Sequence, residues 1–290
     1  MQLDAQTLPL LRESLERLQE GFTGLPPLSH PDDTRRLRAV LEDVAKRMQD
    51  NYPYFHPLYA GQMLKPPHAI ARLAYMLSLW INPNNHALDG GRASSAMEKE
   101  AVAEIAAMVG WSSHLGHLTG GGTLANLEAL WVSGKLTQGK TIVASDQAHY
   151  THKRISEVLR LPFETVPSDE HGRMNIDSLR RILAGGNVGT VVATIGSTGT
   201  GSVDSLSEML ELQQSHSFRI HADAAYGGYF TLAENLRPET RRSFDVLSRV
   251  DSIAIDPHKH GLQPYGCGCI MHRDPAVGTL YKHESPYTYF

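Results

Sequence analysis

The stretch AIDPHKHGLQPYGCG, residues 254–268, sets Asp256, His258, Lys259 and His260 almost in succession at the end of an apolar run. Such groups are costly to desolvate, so either they lie on a solvated turn or a partner compensates them. A lysine held against apolar strand ends has reason to lose its proton, and a neutral amine can form a Schiff base with an aldehyde. The alternative for a lone lysine is a solvated surface residue, since buried lysines are rare. HADAAYGGYF, residues 221–230, ends another apolar run with Asp223. A carboxylate there needs a cation, a protonated nitrogen such as a pyridinium, or backbone N–H donors. The small Ala224, Ala225, Gly227 and Gly228 suit close packing against a flat ring. In LTGGGTLANLEAL, Gly120, Gly121 and Gly122 precede Thr123 and an apolar helix. Free N–H groups at a helix start, the helix dipole and a hydroxyl can bind a phosphate, although the same pattern also begins an ordinary helix. It matches neither the dinucleotide fingerprint nor the Walker pattern.

These groups need a scaffold, and the patterning supplies one. Residues 10–19 and 34–49 carry apolar residues at helical spacing around the breaker-rich GFTGLPPLSHPDD, which predicts a helical arm over residues 1–50. HAIARLAYMLSLW reads as another helix. SSAMEKEAVAEIAAMVGW reads as one capped by Ser94 or Ser95. Beyond Trp111, short β-prone runs (TIVAS, VGTVVATIGS, FRIHADAA, DSIAIDPH, CGCIMHR) alternate with helical ones such as THKRISEVLRL and SLSEMLELQQSH. That alternation predicts an α/β fold over residues 51–290, with a mostly parallel central sheet and helices on both faces. In such sheets function gathers at the carboxyl ends of the strands. Asp146 and His149, Ser197 and Thr198, Asp223, and the run from Asp256 to His260 all fall there.

The chain has 290 residues, 41% hydrophobic and 20% charged, with a net charge of -4. This is enough apolar material for a substantial core, and it gives no electrostatic footprint for nucleic acid or an anionic membrane. The N-terminus lacks a signal-peptide layout, and no window is long and apolar enough for a membrane span, so the cytoplasm is the expected compartment. Cys267 and Cys269, one residue apart on a strand, would point to opposite faces and are expected to stay unbridged. His56, His68, His86, His114, His117, His171 and His216 are scattered without ligand spacing, so no metal site is expected.

In chain order, TGGGTLANL, SDQAHYTHKR, VATIGSTGTGSVDSL, HADAAYGGYF and DPHKHGLQPYGCG resemble the pyridoxal-phosphate-dependent decarboxylases of the aromatic amino acid, glutamate and tyrosine decarboxylase family, within the aspartate aminotransferase fold superfamily (fold type I). The resemblance implies the cofactor pyridoxal 5'-phosphate. It implies that Lys259 forms the Schiff base with it, that Asp223 pairs with the pyridine nitrogen, and that His149 stacks on the ring. Thr198 would support Asp223 through its hydroxyl, Gly122 and Thr123 would contact the phosphate, Ala225 would pack under the ring, and His258 is the histidine before the lysine.

The implied activity is decarboxylation of an α-amino acid by a homodimer. Another reaction of the same cofactor, such as transamination or carbon–carbon cleavage, or a non-catalytic large-domain remnant, are the alternatives. Tyr59, Gln62 and residues 91–97 lie where the family places substrate-entry residues. Arg92 would suit an acidic substrate; Tyr52, Tyr54, Phe55 and Tyr59 would suit an aromatic one, or simply pack the arm. The family's C-terminal small domain, with a mobile loop carrying a tyrosine, is expected to be absent from a chain that ends at HESPYTYF.

Overall fold

The computed structural model describes residues 7–26, 33–56, 58–59, 63–85 and 90–282. They form two compact units, Met1–Asn82 and Pro83–Phe290. The boundary expected at 50/51 thus falls inside the first unit.

The first unit is helical: α1 (Thr7–Glu20), α2 (Thr34–Met48) and α3 (Ala69–Ile81). Asp33 caps α2, its carboxylate accepting from the N–H groups of Arg35 and Arg36. His68 does the same for α3 through Nδ1, accepting from Ile70 N–H. Neither α1 nor α2 buries a residue.

The second unit opens with α4 (Arg92–Met108) and continues β1 (Leu115–Thr119), α5 (Gly122–Leu136), β2 (Thr141–Ser145), α6 (Thr151–Leu159), β3 (Phe163–Val166), α7 (Ile176–Leu183), β4 (Val188–Thr194), α8 (Leu206–Gln213), β5 (Arg219–Asp223), α9 (Pro238–Asp245), β6 (Ser252–Ile255) and β7 (Gly268–His272). The seven strands make one sheet in the order β1-β7-β6-β5-β4-β2-β3. β7 runs antiparallel to both neighbours and every other pairing is parallel. The sheet includes β1 and β3, which the apolar patterning did not pick out. The cap of α4 also differs from expectation. The helix starts at Arg92 with Gly91 as its N-cap, so Ser94 lies inside the first turn and bonds Asn85 Oδ1 and Gly91 O.

Strand alternation assigns the two faces. Val143, Val191, Ala193, Ile220, Ala222, Ile253 and Ile255 pack toward α4, α7, α8 and α9 in the main core. Ile142, Ala144 and Val192 pack with Leu130 of α5 and Ile155 of α6, and Ala254 and Ile270 with Ala125 and Ala129 of α5. Helices therefore cover both faces. This is why β2, β4 and β6 are buried at every position and read as continuous apolar runs.

Candidate functional site

Because β2, β4, β5 and β6 are parallel, their carboxyl ends share one edge of the sheet. Asp223 is the last residue of β5, and Lys259 sits on the turn that follows β6, the neighbouring strand. α5 begins at the same edge, since Thr119 at the end of β1 pairs with Gly268 at the start of β7.

Asp223 is 6% exposed. Its Oδ2 accepts from His152 Nε2 at 2.8 Å and from Asn126 Nδ2 at 3.3 Å, and its Oδ1 from Ala225 N–H at 3.2 Å. Burial alone would raise its pKa. The hydrogen bond and charge of His152, with smaller contributions from His221 and the Ala225 N–H, outweigh it and hold the carboxyl well below the usual range. Thr198, expected to support this carboxylate, is exposed and is not among its partners. Asn126 and His152 fill that place.

Lys259 Nζ lies 3.0 Å from Asp256 Oδ2. His258, 6% exposed, directs Nδ1 at Cys267 O, 2.6 Å away, and its Nε2 lies 3.7 Å from Asp256 Oδ2. Its role is to tie the lysine turn to the start of β7. The half-buried His149 follows β2, with Nδ1 2.8 Å from Thr151 Oγ1 and its ring 4.4 Å from that of Tyr150. Its pKa is lowered, first by burial, and the charges of Asp223, His152, Lys259 and Asp256 all bear on it, so these groups share one electrostatic environment. Ala225 is half-buried beside Asp223, and its carbonyl accepts from Asp256 N–H at 3.3 Å.

The α5 start has no side-chain cap, and Gly121 adopts φ +144, a conformation that favours glycine. A Cβ on Gly122 would come 2.8 Å from Asp256 Oδ2. The turn after β6 therefore presses directly on the first turn of α5, whose leading N–H groups and exposed Thr123 face the shared edge uncapped. A lysine amine, an ionised carboxylate with an acceptor position left on Oδ1, a flat imidazole and an uncapped helix N-terminus form the set of groups that a phosphorylated pyridine aldehyde requires. These residues fit such a group.

Tyr59 belongs to the first unit, where its ring lies 4.9 Å from Tyr54 and 6.1 Å from Tyr52. Arg92 is exposed on the first turn of α4, and Gln62 lies outside the described residues. Cys267 and Cys269 are both free, and burial pushes their thiol pKa values up to about 11 and about 12. Among the described residues no group of three His, Cys, Asp or Glu could hold a metal ion, and no helix is long and apolar enough to cross a membrane.

Residues 126–280 match the family described as the pyridoxal-dependent decarboxylase conserved domain. A probable L-tyrosine/L-aspartate decarboxylase of Methanothermobacter thermautotrophicus is 28% identical over 78% of this chain and 62% of its own length. A probable L-aspartate decarboxylase of Halobacterium salinarum is 30% identical, with the same two shares, 78% and 62%. The crystal structure of mouse CSAD superimposes with a TM-score of 0.78 at 24% identity, over 96% of this chain and 60% of that one, a likeness of fold. The chain thus spans about three fifths of the length of these relatives.

Proposed function

Since the chain belongs to the pyridoxal-dependent decarboxylase family, we propose that it takes part in removing the α-carboxylate of an amino acid as carbon dioxide. The cofactor of the family is pyridoxal 5'-phosphate. The observation that carries the reading is the presence, at one sheet edge, of a buried Asp223 held ionised at the end of β5 and of Lys259 on the turn that follows the neighbouring strand β6.

When bound, the cofactor supplies an electron sink for a bond broken at the amino acid's Cα. Everything else is work for the protein. Lys259 would hold the aldehyde through its amine. Asp223 would keep a proton on the ring nitrogen, because an ionised acceptor in a dry site favours a cationic partner. The N–H groups of Gly122 and Thr123, with the Thr123 hydroxyl, would bind the phosphate at the positive end of α5. His149 and Ala225 supply a flat face and a small one near Asp223. Which bond breaks depends on how the substrate is turned, a task we assign to groups such as Arg92, for an acidic side chain, or Tyr59, for an aromatic one. The names of the relatives support an aspartate or tyrosine substrate. A reducing compartment such as the cytoplasm suits a chain with two free thiols.

The test is direct. Purified chain mixed with pyridoxal phosphate should develop a visible absorption band that Lys259→Ala lacks. It should then release carbon dioxide from L-aspartate or L-tyrosine. A band that persists in Lys259→Ala removes the lysine assignment, and a keto acid formed in place of carbon dioxide makes the enzyme an aminotransferase.

A further inference from the structure

His152 has no part in the expected site, yet it makes the shortest contact to Asp223. It lies on the first turn of α6, 1% exposed, with Nε2 2.8 Å from Asp223 Oδ2 and with no partner at Nδ1 among the described residues. An ionised carboxylate only accepts hydrogen bonds, so Nε2 carries the hydrogen. A hydrogen on Nδ1 would be buried with no acceptor, and the Nε2–H tautomer follows.

A second line of donors reaches the same oxygen. Asn126 must present its amide nitrogen to Asp223 Oδ2, which turns its Oδ1 toward His221 Nε2, 2.8 Å away. His221 therefore donates from Nε2, leaving Nδ1 to accept from Ser252 Oγ–H at 2.9 Å. Donation runs in one direction, from Ser252 through His221 and Asn126 to Asp223. Each of these three is at most 2% exposed. Period-two alternation puts His221 and Asp223 on the same face of β5, the face covered by α5 and α6. With Oδ2 taking two donors, Oδ1 has, among the described residues, only the Ala225 N–H, and the open acceptor position of Asp223 is there.

We propose that His152, together with the Ser252–His221–Asn126 chain, acts as a set of positioning residues that fix the rotation of Asp223, present its Oδ1 to the ring nitrogen of the cofactor and keep the carboxylate ionised. The proposal rests on the cofactor reading above for its purpose, not for its geometry. The titratable groups that bear on Asp223 are His152 from α6, His221 from β5, His149 from the loop before α6 and Asp256 from the turn after β6.

The experiment uses cofactor-free chain labelled with ¹⁵N-histidine and ¹³Cγ-aspartate, read by NMR across a pH series. In the parent, His152 and His221 should both be Nε2–H tautomers, and an Nδ1–H tautomer at either overturns the proposal without any variant. Asp223 should stay ionised to the lowest pH the fold survives. His152→Phe, a flat ring without a donor, should raise the proton affinity of Asp223 at least tenfold, and His152→Gln, whose amide can donate, should restore most of the difference. An Asp223 titration unchanged in His152→Phe overturns the proposal. Adding pyridoxal phosphate to the parent is a separate arm. Absence of a visible band there would count against the cofactor reading, while the tautomers and the Asp223 titration answer for the positioning network alone.

Discussion

Lys259 Nζ lies 3.0 Å from Asp256 Oδ2, and the same two residues close a turn in which Lys259 N–H donates to Asp256 O at 2.9 Å. The Asp256 side chain is 4% exposed, and its Oδ1 meets no donor among the described residues. Burial pushes its pKa up, and the charge and hydrogen bond of Lys259 work against that rise. The lysine is thus also the cation that makes a buried carboxylate tolerable beside the first turn of α5.

Replacing Lys259 by Ala should therefore destabilise the cofactor-free chain. The loss expected at pH 7.5 is about 1–3 kcal/mol, below the usual figure for a fully buried pair because the lysine is partly exposed. Without the cation the folded-state pKa of Asp256 moves further above its unfolded value, so the native state binds more protons and stability falls as pH rises. The deficit should shrink at pH 5. Urea unfolding at the two pH values checks this, and an equal deficit at both would show that the pair is not the cause.

Asp223 behaves with the opposite sign. Its folded-state pKa is depressed, so its contribution is present above the unfolded carboxylate pKa of about 4 and is lost only as pH falls through the lower folded value. Asp223→Asn should cost about 1–3 kcal/mol by leaving donors poorly matched, with a deficit that is flat from pH 5 to 8. The variant should still bind pyridoxal phosphate, while carbon dioxide release falls at least about 100-fold, the scale of losing one preorganised electrostatic partner. Undiminished release would exclude the assigned role.

Lys259, Asp223 and the glycine turn before Thr123 were legible in the sequence because each is a local signal, a polar group ending an apolar run or a breaker before a helix. Strand alternation likewise places His221 on the face of Asp223. Asn126 and His152 were not found, because their contacts join helix faces to a strand far away in sequence, although a polar residue within the apolar TLANLEAL was a clue once that helix proved 2% exposed there. β1 and β3 escaped because LGHLT is half-buried throughout and FETV buries only Val166, so neither reads as a continuous apolar run. The Thr198 role was carried over from the family resemblance alone, and the residue lies exposed in the loop after β4, which strand periodicity does not describe.

Asp204 carries a pH signature outside the site. It is 2% exposed, accepts from Met174 N–H at 2.6 Å and Thr194 N–H at 2.8 Å, and so ties the end of β4 to the strand-like segment before α7. Burial pushes its pKa up to about 6 against those two N–H groups. Between about pH 4 and that value the native state holds a proton that the unfolded chain has lost, so stability should decline across the window by up to about 3 kcal/mol and then level off. Asp204→Asn should be less stable at neutral pH, because its amide turns a donor toward one of the N–H groups, and it should lack this slope. Chemical denaturation from pH 4 to 7 measures both, and a slope retained in the variant would assign it to another carboxyl.

Gly268, the first residue of β7, is where the two halves of the edge touch. A Cβ there would lie 2.6 Å from Gly121 Cα and 2.6 Å from Thr119 Oγ1. The first of these is backbone and cannot swing aside, so Gly268→Ala must push β7 away from the α5 start. The expected cost is about 1–3 kcal/mol, the range for overpacking, with weaker pyridoxal phosphate binding because the same displacement moves the N–H groups of Gly122 and Thr123. Gly199, in the loop after β4, has nothing within 4 Å of its would-be Cβ and no unusual φ. Gly199→Ala should change stability by less than about 0.5 kcal/mol. Thermal unfolding and spectroscopic titration of both variants separate close approach from general sensitivity to alanine, and a Gly268→Ala protein that binds cofactor like the parent would place the phosphate elsewhere than at the start of α5.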